Sequence, residues 1–142
     1  MMISTKGRYA LRVITDLAEH GGGTFIPLKE VADRQDISLK YLEGIMVGLS
    51  KAALVESAHG KGGGYRLVRA PEEYRVGDIL RATEGTLAPV ACLADGAEPC
   101  PRTAECRTLP MWKDLYGTIN DFFDGVTIAD LMKTQGSGDY VI

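Results

Sequence analysis

The chain has 142 residues, of which 45% are hydrophobic, and a formal net charge of -3; that length suits one main domain with an appendage. No apolar run approaches the 18 or so residues of a membrane span, and the N-terminus lacks a charged region followed by an apolar one, so the reading is a soluble cytoplasmic protein with no membrane partner. Three cysteines, an odd count without secretory features, exclude a disulfide scaffold and leave reactive thiols or metal ligands.

Charge is unevenly spread. Residues 1–83 carry 12 Lys+Arg against 10 Asp+Glu, whereas residues 84–142 carry 4 against 9 and hold all three cysteines. A negative total does not exclude nucleic acid, because phosphate contact needs local rather than total positive charge.

Ser4 or Thr5 caps a predicted helix in which Tyr9, Ala10, Val13, Ile14, Leu17 and Ala18 recur at three- and four-residue spacing. Gly21-Gly22-Gly23 ends it. Its other side carries Lys6, Arg8, Arg12, Asp16 and Glu19. The cations there are either a solvated face or phosphate contacts. Phe25-Ile26-Pro27 is a short extended piece, and Leu28 to Arg34 forms two turns of helix with Leu28, Val31 and Ala32 inward. Gln35-Asp36-Ile37 is a turn, and Ser38 is the N-cap of the next helix. Two short helices separated by such a turn make a helix-turn-helix.

In the second of these helices Leu39, Leu42, Ile45, Met46 and Leu49 share an inward face, leaving Lys40, Tyr41, Glu43, Gly44 and Val47 outward. In a helix lying in the major groove such residues meet base edges and phosphates. Glu43 is repelled by phosphate unless it accepts a hydrogen bond, and cytosine N4 is the major-groove donor that fits. The alternative is a surface glutamate paired with Lys40. Leu54-Val55-Glu56-Ser57 and Tyr65-Arg66-Leu67-Val68 read as two strands of a hairpin. Between them His59, Gly60, Lys61 and Gly62 form a basic, glycine-rich tip that suits phosphate or minor-groove contact, or is simply a flexible turn. No strand-to-helix turn hosts these glycines and no Gly-Lys-Ser/Thr follows, which excludes nucleotide-binding loops. A helix followed at once by such a hairpin is how a winged helix-turn-helix grips a duplex.

Tyr74 to Thr83 is a further amphipathic helix with Val76, Ile79 and Leu80 inward. From 84 to about 108 periodicity fails, which marks a functional or disordered loop. Pro110 opens a helix to Asp124 with a broad apolar stripe, Thr127 caps a last short helix with Ile128, Leu131 and Met132, and a disordered tail is expected from Gln135. The stripe either packs back on its own domain or joins a symmetric dimer.

Cys92, Cys100 and Cys106 stand with seven and five residues between them. That spacing is loose for zinc, and neither histidine lies near in sequence. Thiolates on an irregular loop suit an iron–sulfur cluster with one ligand position left open; otherwise they are free thiols, two of which could oxidise together. A thiol enzyme would need a base near a cysteine, and His20 and His59 lie in the other half of the chain.

Four motifs carry a resemblance: Ser4-Thr5-Lys6-Gly7-Arg8-Tyr9-Ala10, Ile37-Ser38-Leu39-x-Tyr41-Leu42-Glu43, Gly60-x-Gly62-Gly63-Gly64-Tyr65 and Phe122-x3-Val126-Thr127-Ile128-Ala129-Asp130-Leu131. In this order they resemble the bacterial winged-helix regulators typified by IscR, NsrR and CymR, over residues 2–133. The resemblance implies a mainly α fold with a small β-wing: a winged helix-turn-helix domain (1–84), a cysteine-bearing loop (85–108), a dimerisation helix with a short terminal helix (109–134) and a flexible tail (135–142). It implies a homodimer that binds double-stranded operator DNA and regulates transcription, and no enzyme. Lys6, Arg8, Ser38, Lys40, Tyr41, Glu43, His59, Gly60, Lys61 and Gly62 would face DNA. Cys92, Cys100 and Cys106 would hold an iron–sulfur cluster, 2Fe-2S slightly favoured over 4Fe-4S, that senses redox, iron–sulfur status or nitric oxide. A cluster-free regulator acting by thiol oxidation or a protein partner is the alternative.

Two departures stand out. The first cysteine interval is two residues longer than the family's usual five, and Leu109 stands where the IscR type has a histidine ligand. The aspartate of the NsrR type has no counterpart, since no acid lies between Met1 and Thr15. The fourth ligand is therefore open, with Asp95, Glu98 and Glu105 as local candidates.

Overall fold

The computed structural model describes residues 3–133. The tail expected from 135 lies outside them. The order is α1 (Thr5–Gly21), α2 (Leu28–Gln35), α3 (Leu39–Lys51), β1 (Val55–Ala58), β2 (Gly64–Leu67), α4 (Val76–Glu84), α5 (Leu109–Asp124) and α6 (Ile128–Met132). The architecture is mainly α with a two-stranded antiparallel wing, and no helix among the described residues is long and apolar enough to cross a membrane.

The core forms where the apolar stripes meet. Ala10, Val13, Ile14 and Leu17 of α1 join Val31 of α2, Leu42, Ile45, Met46 and Leu49 of α3, Ile79 of α4 and Ile128 of α6. Each large side chain taken fully out of water there contributes ~1.5–3 kcal/mol. A second cluster, Val76, Leu80, Leu87 and Val126, packs against Tyr116, Ile119 and Phe123 of α5. Leu39 departs from expectation: it shares the face of Leu42 but is 38% exposed, because it opens the helix and lies past the edge of the core.

Both wing strands sit one residue from their expected places, with Val55 opposite Leu67 and Ala58 opposite Gly64. The Leu54 N–H is spent on the Leu49 carbonyl (3.0 Å), and the Val68 N–H donates to the Tyr74 hydroxyl (2.9 Å), so neither residue is left for the strand pairing. Ile26 joins the wing by a bridge to Tyr65. Gly64, at φ 141, lies against the Ile26 carbonyl so closely that a Cβ would collide with it, and here only glycine fits.

Tyr74 is not the start of a helix. It is extended (φ -96, ψ 116) after a 3-10 turn at Pro71–Glu73, and α4 begins two residues later. The stretch before α5, expected without regular structure, holds a short 3-10 turn at Ala91–Leu93. α6 opens on a capping box in which Thr127 and Asp130 satisfy each other's backbone N–H groups. α5 is joined to α4 by Arg81, whose Nη1 donates to Asp124 Oδ1 (2.9 Å) and Nη2 to Asp124 Oδ2 (3.0 Å) and Asn120 (2.9 Å).

Candidate nucleic-acid interface and cysteine loop

α3 is started by its cap: Ser38 Oγ accepts from the Tyr41 N–H at 3.0 Å, satisfying a donor that the first turn leaves unpaired. The helix then turns Lys40, Tyr41, Glu43, Gly44 and Val47 outward, all exposed. Lys6 of α1 faces this helix. With Ser38, Lys40, Tyr41, Gly44 and Ile45 it lines an open groove of about 490 Å³. Tyr41 meets Tyr9 edge to face at 5.6 Å, and the Arg12 guanidinium lies 5.1 Å from the centre of the Tyr9 ring. Arg8 is exposed, with Nη2 donating to Thr5 Oγ1 at 3.1 Å. No ion pair joins Glu43 to Lys40 among the described residues, so its carboxylate is free to meet a donor.

The wing tip is exposed at His59, Gly60, Lys61 and Gly62; Gly60 and Gly62 have φ of 85 and 81, and the Gly63 N–H closes the turn on the Gly60 carbonyl (3.0 Å). At the base of the wing the Tyr74 hydroxyl donates to the Leu54 carbonyl at 2.6 Å. One buried ring thus holds the chain on both sides of the hairpin.

The three cysteines are all free and share one cavity of about 230 Å³ with Leu93, Pro99, Thr103, Leu109 and Lys113. Three soft thiol donors around one cavity suit an iron–sulfur cluster in chemistry. Their side chains are not gathered round a point: among the described residues no three His, Cys, Asp or Glu stand close enough to hold one ion. Asp95, Glu98 and Glu105 are exposed and do not line the cavity, whereas Leu109 does. Cys106 Sγ lies 3.5 Å from Thr108 Oγ1. That contact, then the Thr108 backbone N–H and more weakly Arg102, hold the Cys106 thiol below its ordinary pKa.

The model of the Rrf2 family, described as iron-dependent transcriptional regulators, matches residues 3–134. The chain belongs to the Rrf2 family. It is 39% identical over 132 residues to the HTH-type transcriptional regulator IscR of Aliivibrio salmonicida, spanning 93% of this chain and 77% of that one. It is 41% identical over 138 residues to protein rrf2 of Nitratidesulfovibrio vulgaris, spanning 94% and 88%. The solved structure of CymR, the global cysteine regulator of B. subtilis, superposes with a TM-score of 0.75 at 34% identity, covering 94% of this chain and 97% of that one. This Rrf2 protein is accordingly a winged-helix transcriptional regulator of the IscR-like kind, and IscR and CymR are named as regulators, not enzymes.

Several groups that support the interface of this Rrf2 chain are invisible in its motifs. Asp16, 2% exposed, accepts from Arg34 Nε (3.0 Å) and Nη2 (2.7 Å) and from Gln35 Nε2 (2.8 Å), and Arg12 reaches the Gln35 carbonyl. These contacts fix α2 on α1 and so set where α3 can lie. Glu84 Oε1 accepts from Ser4 N (2.9 Å) and Ser4 Oγ (2.7 Å), which ties the N-terminus of α1 to the residue just before the cysteine loop. In sequence Asp16 and Glu84 look like surface acids, and only their distant partners reveal them.

Proposed function

We propose that this Rrf2 regulator is a cytoplasmic homodimer that binds operator DNA under the control of an iron–sulfur cluster held by Cys92, Cys100 and Cys106. The observation that carries the proposal is that all three cysteines line one cavity together with Leu109 and Lys113 of α5. When bound, the cluster supplies a redox- and ligand-sensitive centre whose charge and occupancy respond to oxygen, iron or nitric oxide. The chain's own part is to reorder the 85–108 loop against α5, which Arg81 couples to α4 and the winged domain (residues 1–84). The 109–134 segment joins two copies, and its orientation sets the spacing of the two α3 helices.

In this reading Lys6, Arg8, Lys40, Tyr41 and Lys61 hold phosphates, with the Ser38 hydroxyl and the Gly60 and Gly62 backbone assisting. Glu43 reads base edges in the major groove and His59 does so from the wing. Support comes from the groove that Lys6 and Lys40 share beside α3. Protein purified without oxygen is expected to show visible absorbance with stoichiometric iron and sulfide, and an operator affinity that changes when iron is removed. Colourless, iron-free protein with unchanged affinity would overturn the cluster.

Cys106 favours a second reading in which the thiols themselves sense oxidation, because its thiolate is stabilised by Thr108. Loss of DNA affinity on mild peroxide treatment of iron-free protein, reversed by dithiothreitol, would select it.

A further inference from the structure

Among the described large hydrophobic residues the most exposed is Val47, at 55%. It stands midway along α3, opposite the buried Leu42, Ile45, Met46 and Leu49, so it is not a core residue that slipped outward. Glu43 lies one turn before it, Lys51 one turn after, and Lys40 two turns before, all exposed. Gly44 and Gly48 sit beside it, and a Cβ added at either would meet nothing within 4 Å. The fold therefore does not require these glycines, although each weakens a helix relative to alanine. Their effect is local: they strip the helix surface to backbone on both sides of one isopropyl group.

A bare backbone with a single apolar knob, flanked by Lys40, Lys51 and the one acid Glu43, suits a surface that something approaches closely. The face is continuous with the groove that Lys6 and Lys40 line. In the major groove the base edges offer hydrogen-bond donors and acceptors, with one apolar exception, the C5-methyl of thymine. We propose that Val47 is a specificity-determining residue that packs on a thymine C5-methyl in each half-site, with Gly44 and Gly48 admitting the base edge to the helix backbone. This rests on α3 being the helix that enters the major groove. Glu43 and Val47, one turn apart, then form a reader with one polar and one apolar arm, selecting a donor at one base pair and a methyl at a neighbouring one.

The test uses the full chain in one preparation for every arm. A binding duplex is selected from a random-sequence pool with the wild type, and each thymine is replaced singly by deoxyuridine, which removes only the C5-methyl. At one or more positions the loss is expected to weaken wild-type binding about fourfold, the scale of one methyl taken out of water. Val47→Ala, which keeps the helix because alanine favours it, should be nearly indifferent to the same change. Val47→Thr, which retains one methyl, should fall between. If no deoxyuridine position affects the wild type, or if Val47→Ala loses as much as the wild type at every position, the contact does not exist. Failure of the wild type to enrich any duplex would instead sink the DNA-binding reading on which the proposal stands.

Discussion

Asp16 shows how a single residue governs an interface it does not touch. Its carboxylate is buried and shared by Arg34 and Gln35, whereas the Arg34 side chain keeps 34% of its surface in water. Removing the cation is therefore the more damaging change, since it leaves a buried negative charge with one neutral donor. Arg34→Ala is expected to cost ~2–3 kcal/mol in urea unfolding, below the figure for a fully buried pair because Arg34 is partly in water. It should also weaken DNA binding, because α2 loses one of its anchors on α1. Cys106 offers a second test at this scale. With its pKa lowered by the Thr108 hydroxyl, the thiolate appears at lower pH in the folded chain than in the unfolded one. Cys106 should be alkylated by iodoacetamide over a lower pH range in native protein than in urea. In Thr108→Val the native profile should move up in pH, read by mass spectrometry of the Cys106 peptide.

At the scale of elements, the wing depends on a residue outside it. Two strands of four residues make a marginal hairpin by themselves. The Tyr74 hydroxyl satisfies the Leu54 carbonyl at one end and the Val68 N–H at the other, with the ring 1% exposed. Tyr74→Phe leaves both backbone groups without that partner and should cost ~2–3 kcal/mol. Amide exchange of Val55–Ala58 and Gly64–Leu67 should rise more than that of α1 or α4. If Lys61 and His59 contact DNA as proposed, a wing loosened in this way would bring them there at a higher entropic cost, and affinity should fall although neither residue has changed.

For the whole molecule the question is what covers α5. Its inner side carries Tyr116, Ile119 and Phe123 onto the second core cluster. Its outer side shows Met111, Leu115 and Phe122 at 53%, 40% and 42% exposure, on one face at helical spacing. The expectation that the stripe packs back on its own domain is met on one side, while the other side is an apolar seam that no described residue covers and that the proposed dimer would bury. If a second copy covers it, Leu115→Asp should yield a monomer in analytical ultracentrifugation and lower operator affinity by at least about tenfold, with helix content kept. A wild type that is already monomeric at micromolar concentration would remove the dimer from the proposal.

The amino-acid sequence by itself determined most of the architecture. Apolar spacing marked α1, α3, α4 and α5, Ser38 marked the start of α3, and four ordered motifs marked the family. Such signals are local, because helix period and caps depend on residues within one or two turns. Tertiary structure alone decided the rest. Leu39 was exposed by the edge of the core, Tyr74 was drawn out of its helix to tie the wing, and Asp16 and Glu84 found partners 18 to 80 residues away. It also brought Cys92, Cys100 and Cys106 to one cavity while leaving Asp95, Glu98 and Glu105 outside it. Contacts between distant segments depend on how helices pack, and periodicity carries no information about the partner across the gap.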